Sequence, residues 1–109
     1  GAIFIPEYIY DVALNTQLGI KKGIMRLSIE QGKINGCLDI LRHSEPLYGE
    51  ITTTGDCTLQ GKIKTLMRFI NYTATGHIDR NNVQLLLISR GEQFEMTGTA
   101  RIQEAEQNT

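Results

Sequence analysis

Leu59-Gln60-Gly61-Lys62-Ile63 alternates apolar and polar side chains about a central glycine. The same phrase returns at Ile34-Asn-Gly36-Cys-Leu38, Leu47-Tyr-Gly49-Glu-Ile51, Ala74-Thr-Gly76-His-Ile78 and Met96-Thr-Gly98-Thr-Ala100. A larger central residue replaces the glycine in Tyr10-Asp-Val12-Ala-Leu14, Met25-Arg-Leu27-Ser-Ile29 and Val83-Gln-Leu85-Leu-Leu87. A period of two sends alternate side chains to a buried face and to water, which is the pattern of a strand. Eight such segments predict eight short strands of one repeated β architecture.

Turn chemistry separates them. Gln31-Gly32, Thr54-Gly55-Asp56, Arg80-Asn81-Asn82 and Arg90-Gly91 are compact hairpin connections, and Gly19 and the segment Arg42-His43-Ser44-Glu45-Pro46 mark two more. Connections this short pair each strand with its neighbour in sequence. A shift of 49 residues aligns Leu14, Leu18, Ile29 and Leu38 with Ile63, Met67, Ile78 and Leu87, as if a four-strand unit were used twice. An open sheet would leave two bare edges, and eight strands close comfortably. The predicted fold is all-β, an eight-stranded antiparallel up-and-down meander barrel, with a two-sheet β-sandwich as the competitor. Residues 8–102 form its single domain, after a leader at 1–7 and before a polar tail at 103–109.

The five mid-strand glycines admit two readings. Glycine facing inward lets a narrow barrel coil sharply around large side chains, or it hollows out a ligand cavity. The flanking inward residues are aliphatic or aromatic and can fill the space, which favours coiling.

Composition excludes more than it assigns. A chain of 109 residues with net charge −1 gives no global argument for nucleic acid or an anionic membrane, and no stretch approaches a membrane span; neither partner is expected. Cys37 and Cys57 fall on opposite phases of strands separated by another, so no disulfide is expected and a cytoplasmic location follows. Gly1 stands where a methionine would and reads as a tag-removal scar, so an upstream signal is an open alternative. His43 in a loop and His77 on an outward phase have no metal-ligand spacing around them, and there is no phosphate loop or nucleophile elbow. No enzyme activity, metal or cofactor is expected.

A meander sends its odd-to-even connections to one end and its even-to-odd connections to the other. The first end then gathers Lys21, Lys22, Arg42, His43, Arg68 and Arg90 against Glu45 and Glu92. The second gathers Glu30, Asp56 and Asp79 against Lys33 and Arg80. Tyr72 and Phe94, inward near the starts of even-numbered strands, fall toward the basic end. An aromatic mouth ringed by cations suits a small anionic ligand, and the candidate site is Arg42, Arg68, Arg90, Lys22, Tyr72 and Phe94. The bland alternative is solvated loop charges over an aromatic core plug. Ile3-Phe4-Ile5-Pro6, with Leu86 and Ile88 outward on the seventh strand and Tyr48 outward on the fourth, offers apolar surface for a homodimer or for capping a barrel end. A protein partner, or a purely structural self-associating module, is the alternative to small-ligand binding.

Tyr10-Asp-Val-Ala-Leu-Asn-Thr16, Lys64-Thr-Leu-Met-Arg68 and Thr73-Ala-Thr-Gly76 resemble an uncharacterised family of small bacterial proteins with repeated "YDV-L-T-x-x-G" and "TGT" elements. The resemblance runs from about Tyr8 to Ile102 and implies a calycin-like barrel, shaped like lipocalins and avidins. It carries no activity. The Gly-x-Trp of lipocalins is missing near the first strand, and with no tryptophan the wall of an avidin biotin site is missing too.

Overall fold

The computed structural model describes residues 7–101. Its strands are β1 (Glu7–Thr16), β2 (Gly19–Glu30), β3 (Lys33–Ile40), β4 (His43–Ile51), β5 (Asp56–Lys64), β6 (Phe69–Ile78), β7 (Asn82–Ser89) and β8 (Glu92–Ala100). Each pairs antiparallel with the next, and β8 returns to β1 from Tyr10↔Ala100 to Leu14↔Met96, closing the barrel. The up-and-down closure agrees with a calycin-like shape and removes the sandwich alternative. No helix occurs among the described residues.

Inward side chains fill the middle of the barrel. Tyr10, Met25, Leu27, Ile34, Leu38, Leu47, Leu59, Leu87 and Met96 are almost wholly removed from water, consistent with an eight-stranded interior just wide enough for its own side chains. The glycines are what allow this. Gly36 lies opposite Leu27, and a Cβ there would overlap the carbonyl oxygen of Arg26 in the adjoining strand. Gly49, opposite Leu59, stands in the same relation to the Thr58 carbonyl. The coiling reading of these positions therefore holds. Gly61 differs, because what lies over it is the end of a side chain: its Cβ would sit 2.6 Å from the Tyr72 hydroxyl and 2.9 Å from Tyr72 Cζ.

The register divides the barrel into four long hairpins. Within β1–β2, β3–β4, β5–β6 and β7–β8 the ladder runs to the turn, for example to Thr16↔Gly19 and Ile40↔His43. Between hairpins the ladder stops short of the turn on one strand or on both: β2–β3 at Gly23↔Ile40, where only β2 runs on, β4–β5 at Leu47↔Gly61, β6–β7 at Thr73↔Ile88 and β8–β1 at Leu14↔Met96. The four hairpin tips thus splay apart at one end, called the mouth below. The opposite end, the base, is tied shut by backbone bonds from Ile51 N to Gly32 O, Ile78 N to Gly55 O and Ala100 N to Asn81 O, each 2.8–2.9 Å. The Tyr10 hydroxyl adds a bond of 2.7 Å to the Asp79 carbonyl.

One connection differs from expectation. Arg42–Pro46 is not a loop: Leu41-Arg42 alone makes the β3–β4 turn, and His43 opens β4. Pro46 is tolerated inside β4 because it faces Cys37 in a pair between the hydrogen-bonded pairs of that hairpin, so its missing N–H points toward β5, whose ladder begins at Leu47. The turn has φ of +54° at Leu41 and +68° at Arg42, the geometry of a type I′ turn, which ordinarily takes Asn-Gly. Left-handed backbone at a residue with a full side chain costs about 1–2 kcal/mol. Replacing Leu41-Arg42 with Asn-Gly is expected to raise the unfolding free energy by about 1–2 kcal/mol in urea denaturation; unchanged or lower stability would show that the strain is offset by packing of Leu41.

Candidate functional site

The tips open onto a half-enclosed cavity at the mouth. It measures ≈ 240 Å³; Leu18 and Leu41 of the tips border its opening, and its inner walls are Leu14, Ile63, Ile70, Tyr72, Leu87 and Phe94. All six inner-wall residues fall on the inward phase of their strands, so the same alternation that builds the core supplies the apolar wall. The packed layer below forms the floor. Lys21, Arg68 and Glu92 stand at the rim. Thr65 shapes the β5–β6 tip: its Oγ1 receives the backbone N–H groups of Met67 and Arg68 at 3.3 and 3.2 Å and donates to the Arg68 carbonyl at 3.0 Å, fixing where Arg68 leaves the chain.

Three of the six residues singled out from sequence meet here: Arg68, Tyr72 and Phe94. The other three are placed at the same end but elsewhere. Lys22 is on the outward phase of β2 and lines grooves on the outer wall, because the neighbouring Lys21 takes the inward phase. Arg42 faces the outer wall beside Asp39 and Ser44. Arg90 is exposed in the β7–β8 turn and is not among the residues lining the cavity. Burial pushes the Tyr72 phenol up to about 12, so the ring is neutral at any physiological pH and offers the cavity a hydroxyl rather than a charge.

The outer wall carries broader concavities, one of ≈ 620 Å³ across β1, β7 and β8, but these are shallow grooves over the sheet. Near the base, His77 is bracketed by Asp56 at 3.6 Å and Asp79 at 3.5 Å. Asp79 is already committed to the β6–β7 turn, receiving the N–H groups of Asn81 and Asn82 at 2.8 Å, and these bonds hold its carboxyl below the usual range. No group of His, Cys, Asp and Glu among the described residues has a metal-holding arrangement. Cys57 is buried, with its thiol pushed up to about 11 by burial and by Asp56, whereas Cys37 is half-buried; both are free thiols. The leader Ile3–Pro6, invoked for a homodimer, lies outside the described residues. Leu86 and Ile88 are outward on β7, half-buried and exposed respectively, and Tyr48 is exposed on β4.

Sequence reasoning overlooked the apolar residues of the tips themselves: Leu18, Leu41, Leu66 and Met67. The signal was available, since apolar residues occupy turn positions flanked by cations in Lys64-Thr65-Leu66-Met67-Arg68. No family model, no curated protein and no solved structure matches this chain.

Proposed function

We propose that this barrel reversibly binds a small amphiphilic anion, its apolar part in the mouth cavity and its charged head between Lys21 and Arg68. The observation that carries the reading is the position of the cavity. The interior is packed from the base to mid-barrel and hollow at the splayed end, where the apolar wall meets two cations. A volume of ≈ 240 Å³ exceeds the roughly 150 Å³ that holds a benzene and falls below the roughly 300–1,000 Å³ of sites for drug-sized ligands. A short acyl chain or a single substituted ring fits that range. Binding without chemistry is the simplest use of such a lining, which brings no histidine or cysteine to the cavity. The calycin-like resemblance agrees with the topology, and ligand binding is argued from the cavity alone.

The test is calorimetric titration with straight-chain carboxylates of increasing length, with alkylammonium ions of matched length as controls. Each methylene buried contributes about 0.8 kcal/mol, or roughly fourfold in affinity. Affinity should climb by that factor per carbon until the cavity is full and then level off. Arg68→Ala should weaken carboxylate binding about two- to fivefold, the range of an exposed ion pair, and leave alkylammonium binding no weaker. Affinity independent of chain length, or preference for the ammonium series, would overturn the proposal.

A further inference from the structure

The four hairpin tips at the mouth carry an unusual surface. Eight large apolar side chains are exposed among the described residues, and Tyr48 alone lies away from this end. Leu18 sits in the β1–β2 turn, Leu41 in the β3–β4 turn, and Leu66 and Met67 in the β5–β6 loop; Ile20, Phe69 and Ile88 lie within a residue or two of a turn. Exposure is 87% at Leu18, 100% at Leu66 and 91% at Met67. Single exposed leucines are ordinary, but a cluster rimmed by polar residues marks a surface that something covers.

Its rim is basic. Lys21, Lys22, Arg42, Lys64, Arg68 and Arg90 surround the tips, against Glu92 and, further down, Glu45. The five ion pairs among the described residues lie elsewhere, on Arg26, Lys33, His77 and Arg101, so none of these six cations forms an ion pair with a described carboxylate. Lys64, with Lys62, does lie over the Phe69 ring, 5.5 and 4.7 Å from its centroid. This anchors the ring at the tip and keeps both ammonium groups beside it.

We infer that the mouth end docks on an anionic lipid surface, the leucine and methionine tips entering the apolar layer and the collar of cations meeting the headgroups. Two observations choose this occupant. A second copy docking mouth to mouth would press two collars together that each carry more cations than carboxylates. A folded protein would need a groove or a continuous face to match, whereas these side chains project from separate hairpin turns; a fluid apolar phase requires no shape complementarity. Leu41, which also borders the cavity, is held at the mouth by the left-handed β3–β4 turn. The expectation of no membrane partner concerned net charge and a spanning segment, and docking needs neither: a near-neutral chain can still present one basic end. The inference does not depend on the cavity holding a ligand.

The experiment is co-sedimentation of the full chain with phosphatidylcholine vesicles, with and without phosphatidylserine. Binding is expected to the phosphatidylserine vesicles and to fall with added salt. Leu66→Gln with Met67→Gln should weaken it at least about tenfold, at unchanged thermal stability because both side chains are solvent-exposed. Arg42→Gln and Arg90→Gln should each weaken it about fivefold, the equivalent of ~1 kcal/mol per cation at an anionic surface. None of these four residues lines the cavity, so the variants should keep carboxylate binding, and its loss in another variant should spare vesicle binding. Failure of the parent chain to bind, or binding untouched by the tip changes, would overturn the inference. Equal binding to phosphatidylcholine alone would overturn the role of the collar. A dimer dissolved by the tip changes without vesicle binding would assign the surface to a second copy, and binding to polyglutamate but not to vesicles would assign it to an acidic protein.

Discussion

Gly36→Val is expected to lower the unfolding free energy by about 3 kcal/mol or more, a large share of the roughly 5–15 kcal/mol that holds a domain folded. A Cβ at this position would occupy the space of the Arg26 carbonyl oxygen and press on Leu27 Cα. Both are backbone atoms of the adjoining strand, so relief requires separating β2 from β3 beside the buried Leu27 and Leu38. Gly61→Ala makes the informative contrast. Its new methyl meets the end of the Tyr72 side chain, which can swing toward the open mouth, so the loss should be no more than about 1 kcal/mol. Lys62→Val beside it, on the outward phase, should be milder still. Urea denaturation of the three variants checks the ordering. Equal tolerance at positions 36 and 61 would show that the interior is not crowded by backbone at Gly36.

Ile70→Trp is the second large effect. Ile70 is inward on β6, half-buried, and forms part of the cavity wall. An indole there occupies the space a ligand's apolar part would take. If three or four methylenes lose their burial, affinity for the best carboxylate should fall on the order of 100-fold at about 0.8 kcal/mol each. Stability should hold or rise, because the new ring fills a void and displaces no packed neighbour. The parent chain contains no tryptophan, so the substituted residue also reports its own environment: emission from an apolar site is expected. Undiminished binding would place the ligand outside this cavity.

Much of the fold was legible because each strand carries its own alternation and most turns carry glycine or asparagine. Ile34 to Leu38 and Leu59 to Ile63 could be read as strands without knowledge of their partners. Closure followed from the number of strands and the cost of bare edges. The basic end was legible too, since the parity of the connections alone brings Lys21, Arg42, Arg68 and Arg90 together. What could not be read depends on register and on backbone strain. The β3–β4 turn uses Leu41-Arg42, which has no turn signature, so the proline four residues further on drew attention instead. Lys21 and Lys22 exchange roles with a single step of phase, and that step is set by pairing with Leu14 and Ala13 across the hairpin. The cavity lies where each ladder between hairpins leaves at least one of its two strands unpaired, a property of how strands are staggered rather than of any one residue. The apolar tips were visible as letters, but their meaning required knowing that they share one end.

The most direct test of the central claim, an open apolar mouth that accepts an amphiphilic anion, is a methyl and aromatic NMR titration with octanoate. The expected result is saturable perturbation of Leu14, Ile63, Ile70, Leu87, Tyr72 and Phe94, with Ile34, Ile78 and Tyr10 toward the base unmoved. Perturbations centred on the base or on the outer wall, or none at saturating octanoate, would contradict it.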